Sequence, residues 1–275
     1  MEIIYQTRFS FYGKSGWRSP ASKNPELLFQ RDRLEERFAL FEAVTLASLA
    51  CQSDRKFRHF VLSSDLMPDW AQKRLRQMCN DILGPKRVAI LFAPKGSASR
   101  HFRRYTRRHF SAQRLAAQVV LDDDDGLCQD FTALLRREAQ HAWDNNLDST
   151  EAVFLSFADG VSLVFRDTGP PHLAARHVPF TNLGLAMVAR PGSLRHPLAT
   201  SHLRIGARHH ARVITSHRPT YIRSVHDHND SRAQHSDARL EDPAFESSLA
   251  AFPFLTDLLR PKGAQTPLAP HASPA

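Results

Sequence analysis

The chain has 275 residues, 42% of them apolar and 24% charged, with 37 Lys and Arg against 28 Asp and Glu. That size and balance suit one large or two small globular domains and exclude collagen-like, largely disordered and coiled-coil chains. A membrane span is also excluded, because no window approaches ~18 uncharged apolar residues and the best, Phe154–Phe165, is broken by Asp159 and Gly160.

Taken in order, Ile3–Phe9 reads as a strand, Arg33–Ala50 as a helix with Phe38, Phe41, Val44, Thr45 and Leu49 on one broad face, and Phe57–Ser63 as a second strand. Asp69–Leu83 follows as a helix, with Pro68 where a helix start tolerates proline, and Arg87–Phe92 as a third strand ended by Pro94 and Gly96. Ser111–Ala117 reads as helical and runs into a short buried strand, Gln118–Leu121, which stops at four aspartates, Asp122 to Asp125. Strands alternating with helices imply right-handed crossovers and a mostly parallel sheet, so the first ~130 residues read as a Rossmann-like nucleotide-binding half.

Cys128–Ala142 reads as a helix, Glu151–Phe165 as a hairpin turning at Asp159-Gly160, and Leu183–Ala189 as a further strand. A helix-poor segment rich in His and Arg runs from Arg195 to Ser236, and a last helix spans Phe245–Leu259. The fold class is therefore α/β, with a mixed α+β half over residues 131–260 continuing the sheet, and a Pro/Ala-rich tail at 261–275 too poor in apolar residues to offset its ordering entropy. Cys51, Cys79 and Cys128 are odd in number, far apart and set in apolar segments, which reads as reduced core thiols. The start, MEIIYQTRFSFYGK, has no basic region followed by an apolar core, so a cytoplasmic protein is expected.

The string VVLDDDDG, Val119 to Gly126, carries the chemistry. An apolar strand ending in carboxylates puts them at the C-terminal edge of a parallel sheet, where open α/β folds bind ligands. Adjacent carboxylates repel unless a cation sits among them, and oxygen ligands suit a hard divalent ion, Mg²⁺ or Mn²⁺, which keeps positions open for diphosphate oxygens. In an extended segment Asp122 and Asp124 point the same way, giving an Asp-x-Asp pair. The plainer alternative is a structural or calcium-binding acidic run that caps the next helix.

The densest basic run, Arg100–Arg108, is followed by Arg114; Arg107, Arg108 and Arg114 lie just upstream of the aspartates, where guanidinium groups would meet phosphates, with a solvated basic face as the alternative. Asp159, at the Asp-Gly pair, either acts as a general base or serves the turn alone.

RFSFYG at Arg8–Gly13, RFALFEAVTLASLACQSDRKF at Arg37–Phe57, VLSSDLMP at Val61–Pro68, LDDDDGLCQDF at Leu121–Phe131 and HNDS at His228–Ser231 together resemble the bacterial rhamnosyl transferase family of GT-A-type glycosyltransferases, over about residues 1–235. The resemblance implies a metal-dependent enzyme that moves a sugar from a nucleoside-diphosphate donor to a hydroxyl of a glycan or glycolipid. It implies that Asp122 and Asp124 hold the ion bridging the donor phosphates, that Asp123 and Asp125 support them or touch the ribose, and that Arg8 and Asp65 approach the nucleoside. A C-terminal histidine, His226 or His228, is implied as a last metal or diphosphate ligand.

If the transfer inverts configuration, a carboxylate such as Asp159 or Asp227 must deprotonate the acceptor. The basic, unanchored chain fits peripheral contact at the inner membrane face or with an acidic polysaccharide, with soluble action as the alternative. The competing readings are a metal-dependent nucleotidyltransferase, which would release pyrophosphate, and a basic nucleic-acid binder. The acidic cluster argues against the binder, and no nucleic-acid partner is expected. No GxGxxG or GxxxxGK[ST] loop follows the first strand, against dinucleotide oxidoreductases and P-loop ATPases.

Overall fold

Seven residues at the start of the chain, Glu2–Arg8, form β1, and burial of nearly all of them requires that both faces of the strand be covered. In a computed structural model of the chain, which describes residues 1–14, 19–146, 151–166, 170–226 and 238–260, β1 lies inside a seven-stranded sheet. It pairs in parallel with β2 (Arg58–Ser64) on one side and β4 (Ala116–Val120) on the other, and β2 pairs in parallel with β3 (Val88–Ala93). The order β3-β2-β1-β4 is that of a doubly wound nucleotide-binding half.

Between β1 and β2 the chain forms α1 (Pro25–Leu28), capped by the Asn24 side chain, and then α2 (Arg31–Leu40), which passes through a π-helical segment at Phe41–Leu46 into α3 (Ala47–Ala50). Helix α4 (Asp69–Leu83) starts after Pro68 and is ended by Gly84 at φ +83°, a conformation glycine adopts without strain. Leu75 and Cys79 of α4 pack with Val61 in one core cluster, while Phe60 and Leu62 pack with Ala98 and Phe102 of α5 (Ala98–His109) in another. Alternate residues of β2 thus face helices on opposite sides of the sheet.

The expected helix at 111–117 is absent; Ala116 and Ala117 belong to β4, and the helix lies earlier, as α5. Its buried stripe is only Ala98, Ser99, Phe102 and Thr106, narrow enough to be masked by the arginines that occupy the other positions.

Past β4, the short β5 (Gly126–Leu127) leads into α6 (Phe131–Asp144). β6 (Ala152–Phe157), β9 (Ala186–Ala189) and β10 (Ala211–Ile214) extend the large sheet, with β9 antiparallel to both β4 and β6 and β10 parallel to β6. β7 (Asp159–Val164), β8 (His172–His177) and β11 (Tyr221–Val225) form a second sheet with β5, in the order β5-β11-β7-β8.

The expected hairpin at Asp159-Gly160 does not form: β6 and β7 belong to different sheets, and the chain runs from one into the other through Ala158. Gly160 is required for a different reason, because a Cβ there would stand 2.5 Å from the Tyr221 ring. The small helix α7 (Ile205–Arg208) precedes β10, and the expected terminal helix is broken at Pro253 into α8 (Ala244–Ala251), a 3₁₀ turn and α9 (Thr256–Leu259). Among the described residues no helix is long and apolar enough to cross a membrane. The three cysteines are free, and burial pushes the Cys79 thiol up to about 12. The tail at 261–275 lies outside the described residues.

Candidate active site

β4 delivers the aspartate run to the C-terminal edge of the large sheet, beside the end of β1, where Arg8 stands. Four carboxylates in sequence need not gather about one cation, and here they part. Asp122 pairs with Arg8, whose side chain is 3% exposed. Asp123 and Asp124 both pair with Arg37 of α2, which bonds Asp123 through one guanidinium nitrogen and Asp124 through the other at 3.0 Å.

Asp125 turns toward the second sheet, where its carboxylate accepts the backbone N–H of Ser224 at 3.1 Å. The Thr45 hydroxyl, offered by the π-helical segment, donates to the Asp125 carbonyl at 2.8 Å and the Asp122 carbonyl at 3.3 Å, fixing the loop's backbone.

The second sheet returns to this edge through β11. The residue after that strand, His226, donates from Nε2 to Asp124 at 3.1 Å. Burial alone would raise the Asp124 carboxyl, but the Arg37 charge and the His226 hydrogen bond overcome it and hold the group below the usual carboxylate range. Burial and then the Asp124 and Asp122 charges drive Asp125 well above that range, against the pull of Arg223 and the Ser224 N–H. Neighbouring carboxylates in different environments are thus pushed in opposite directions.

A Mg²⁺- or Mn²⁺-type ion takes one or two carboxylates and fills its other positions with substrate phosphates and water. Asp124, held ionised, is such a carboxylate, and His226 beside it at 3.1 Å would add a nitrogen ligand once its Nε2 gives up the proton it donates to Asp124. Among the described residues no three His, Cys, Asp or Glu side chains converge as an all-protein metal cage requires. Asp122 stands apart from the pair, drawn to Arg8.

Of the residues expected from the sequence, the fold therefore gathers Arg8, Asp122, Asp123, Asp124 and His226. Asp65 is exposed at the same sheet edge, one residue past β2, with its N–H on the Ala93 carbonyl. Asp227 and His228 lie outside the described residues.

Three expectations are displaced. Arg114 pairs with Glu2 at 2.8 Å, before the start of β4, and there lines a cavity of ≈ 600 Å³ with Asp54, Lys56, Arg58 and Arg136 at the opposite sheet edge. Arg107 is exposed in the last turn of α5, beyond Thr106, whose hydroxyl reaches Gln118 in the middle of β4. Asp159 begins β7 beside Thr220, so the whole of β11, roughly 16 Å at the usual rise, separates it from His226. Its carboxylate is spent on the Ser216 N–H at 2.7 Å and on His177 at 2.6 Å.

Arg37 is not among the residues expected from the sequence, although its signal is there. It sits between Leu34 and Phe41 on the apolar face of its helix, and a charge at such a position needs a buried counter-charge.

A family described as "Putative rhamnosyl transferase" matches residues 2–238. No curated protein matches the chain. Among solved structures, S. aureus TarS aligns at 11% identity and TM-score 0.42 over 82% of this chain and 37% of its own. TarS 1–349 in complex with UDP aligns at 10% identity and TM-score 0.42, over 82% of this chain and 61% of its own. The chain thus spans less than two thirds of these structures, and a likeness this distant carries no argument about activity.

Proposed function

The chain belongs to the rhamnosyl transferase family, and from that premise we propose that it moves a sugar from a nucleoside-diphosphate donor to a hydroxyl of a glycan or glycolipid acceptor. The observation that carries the reading is the meeting of Asp124 with His226 at the C-terminal edge of the sheet, where α/β folds of this order take nucleotides. Asp124 and His226 would hold a divalent ion, Mn²⁺ or Mg²⁺. Such an ion, when bound, neutralises charge on the diphosphate leaving group.

The chain's own residues prepare that site. Arg37 holds Asp123 and Asp124 in one orientation and keeps Asp124 ionised, as a ligand must be. Arg8 fixes Asp122 at the mouth of β1, where that pair lines the approach for the nucleoside. Thr45 and Ser224 hold the loop backbone and Asp125, so the carboxylates need not reorganise when a donor arrives. Asp159, engaged elsewhere, is not the acceptor's base in this reading; Asp227, next in the chain to His226, is the carboxylate proposed for that role if the transfer inverts configuration.

The test is incubation of the full chain with a panel of nucleoside-diphosphate sugars, dTDP-rhamnose included, with Mn²⁺ and with Mg²⁺. Release of nucleoside diphosphate that depends on Asp124, with water taking the sugar where no glycan acceptor is supplied, supports sugar transfer. Release of pyrophosphate when the chain is given nucleoside triphosphates and a sugar 1-phosphate instead would mean nucleotidyl transfer.

A further inference from the structure

We propose that the exposed face of α5 is a docking surface for an anionic phospholipid bilayer. The helix reads ASRHFRRYTRRH and contains no acidic residue. Arg100, Arg104, Arg107 and Arg108 are exposed along it, and none has a side-chain ion pair among the described residues. Their spacing of three and four puts them on one stripe.

Local helix energetics account for only part of that stripe. The helix dipole favours Arg107 and Arg108 in the last turn, but it disfavours Arg100 in the first. Arg100 with Arg104, and Arg104 with Arg108, are like-charge neighbours one turn apart, which destabilises the helix. A stripe held against its own repulsion is explained by a polyanion that neutralises it.

Two observations favour lipid headgroups over nucleic acid. The adjoining loop is tied to the helix by Arg103, which donates to the Leu194 carbonyl, and Leu194 itself is 77% exposed. An apolar side chain beside a basic stripe suits a bilayer surface, where charge attraction and shallow insertion act together. Single-stranded nucleic acid binding depends instead on free aromatic faces. Of the two aromatic residues among the arginines, Phe102 is buried, and Tyr105 is stacked with Phe60 at 3.8 Å and with His109 at 4.2 Å.

The helix packs against one face of the large sheet, on Phe60 and Leu62 of β2. The surface stands on α5 alone and does not require the proposed sugar transfer.

The test is co-sedimentation of the full chain with vesicles of phosphatidylcholine, with and without phosphatidylglycerol, over a range of salt. Binding is expected only with phosphatidylglycerol, to weaken as salt rises, and to fall by roughly tenfold or more in the double variant Arg104→Glu/Arg108→Glu. The charge-matched variant Lys73→Glu/Lys86→Glu, on and just after α4, is expected to bind within about twofold of the parent. Arg104→Gln/Arg108→Gln gives the reading should charge reversal impair folding.

Equal loss in both double variants would reduce the effect to net charge and overturn the proposal. So would equal binding to neutral vesicles, binding unchanged by loss of the arginines, or displacement from vesicles by RNA at lower phosphate concentration than the lipid.

Discussion

His226 and Asp124 are 102 residues apart in sequence, yet an imidazole nitrogen of one lies 3.1 Å from a carboxylate oxygen of the other. The contact joins the two sheets, because Asp124 follows β4 of the large sheet and His226 follows β11 of the small one. Either sheet alone presents half of the site.

Replacing either member should therefore remove function more than stability. Asp124→Asn and His226→Ala are each expected to cut donor turnover by roughly 100-fold or more, the scale of losing a charge-stabilising group at the leaving diphosphate. Far-ultraviolet circular dichroism should stay that of the parent. Initial rates on the accepted nucleoside-diphosphate sugar provide the check, and a tenfold or smaller loss in both variants would count against the pair.

Arg37 is a different case, since its guanidinium is 3% exposed and serves two buried carboxylates. Arg37→Met keeps the side-chain length and leaves Asp123 and Asp124 buried without their counter-charge, a change of about 3–5 kcal/mol. Urea unfolding should show the loss as a lower midpoint, and Arg37→Lys should recover only part of it because an ammonium cannot span both carboxylates.

Much of this arrangement is legible in the chain. The alternation of strand and helix gives a mostly parallel nucleotide-binding half, and an apolar strand stopping in four aspartates marks the edge where Arg8 and Asp122 meet. What hid the rest was tertiary. Arg37 looks like a surface charge until the helix is seen to be buried on that side, and the four aspartates look like one cluster until Arg8, Arg37 and Ser224 are seen to divide them. Asp159-Gly160 carries the composition of a tight turn, but glycine is there for the Tyr221 ring, a neighbour 61 residues away.

That packing gives a prediction at the join of the sheets. In Gly160→Ala the new methyl would stand 2.5 Å from Tyr221, which is fully buried and cannot swing aside. A cost of about 1–3 kcal/mol is expected from overpacking. Thermal melting should show it, and Gly160→Ala combined with Tyr221→Leu should recover part of the loss.

Two buried histidines make stability depend on pH. His59 lies 2.9 Å from the Thr7 hydroxyl, and His196 donates to Gln6 at 2.8 Å while accepting the Leu198 N–H at 3.1 Å. Burial lowers both to about 3, helped in His196 by the Arg103 and Arg8 charges.

Unfolded, each would titrate near ~6.5, so between about pH 6.5 and 3 the unfolded chain binds protons that the folded chain does not. Stability contributed by neutral burial is full above that window and is lost as pH falls, by about 1.4 kcal/mol per pH unit for each histidine. Urea midpoints measured from pH 7.5 to 5 should fall, and His59→Gln should flatten the slope by about half.

The central claim is tested most directly by thermal shift of the parent and Asp124→Asn proteins with UDP, GDP, dTDP and CMP, each with and without Mn²⁺. A ligand that binds only the folded state raises the melting temperature by mass action. One nucleotide is expected to raise it in the parent, only with Mn²⁺ present, and to do nothing for Asp124→Asn. An equal shift in both proteins, or no shift with any nucleotide while Ca²⁺ alone stabilises, would contradict the site.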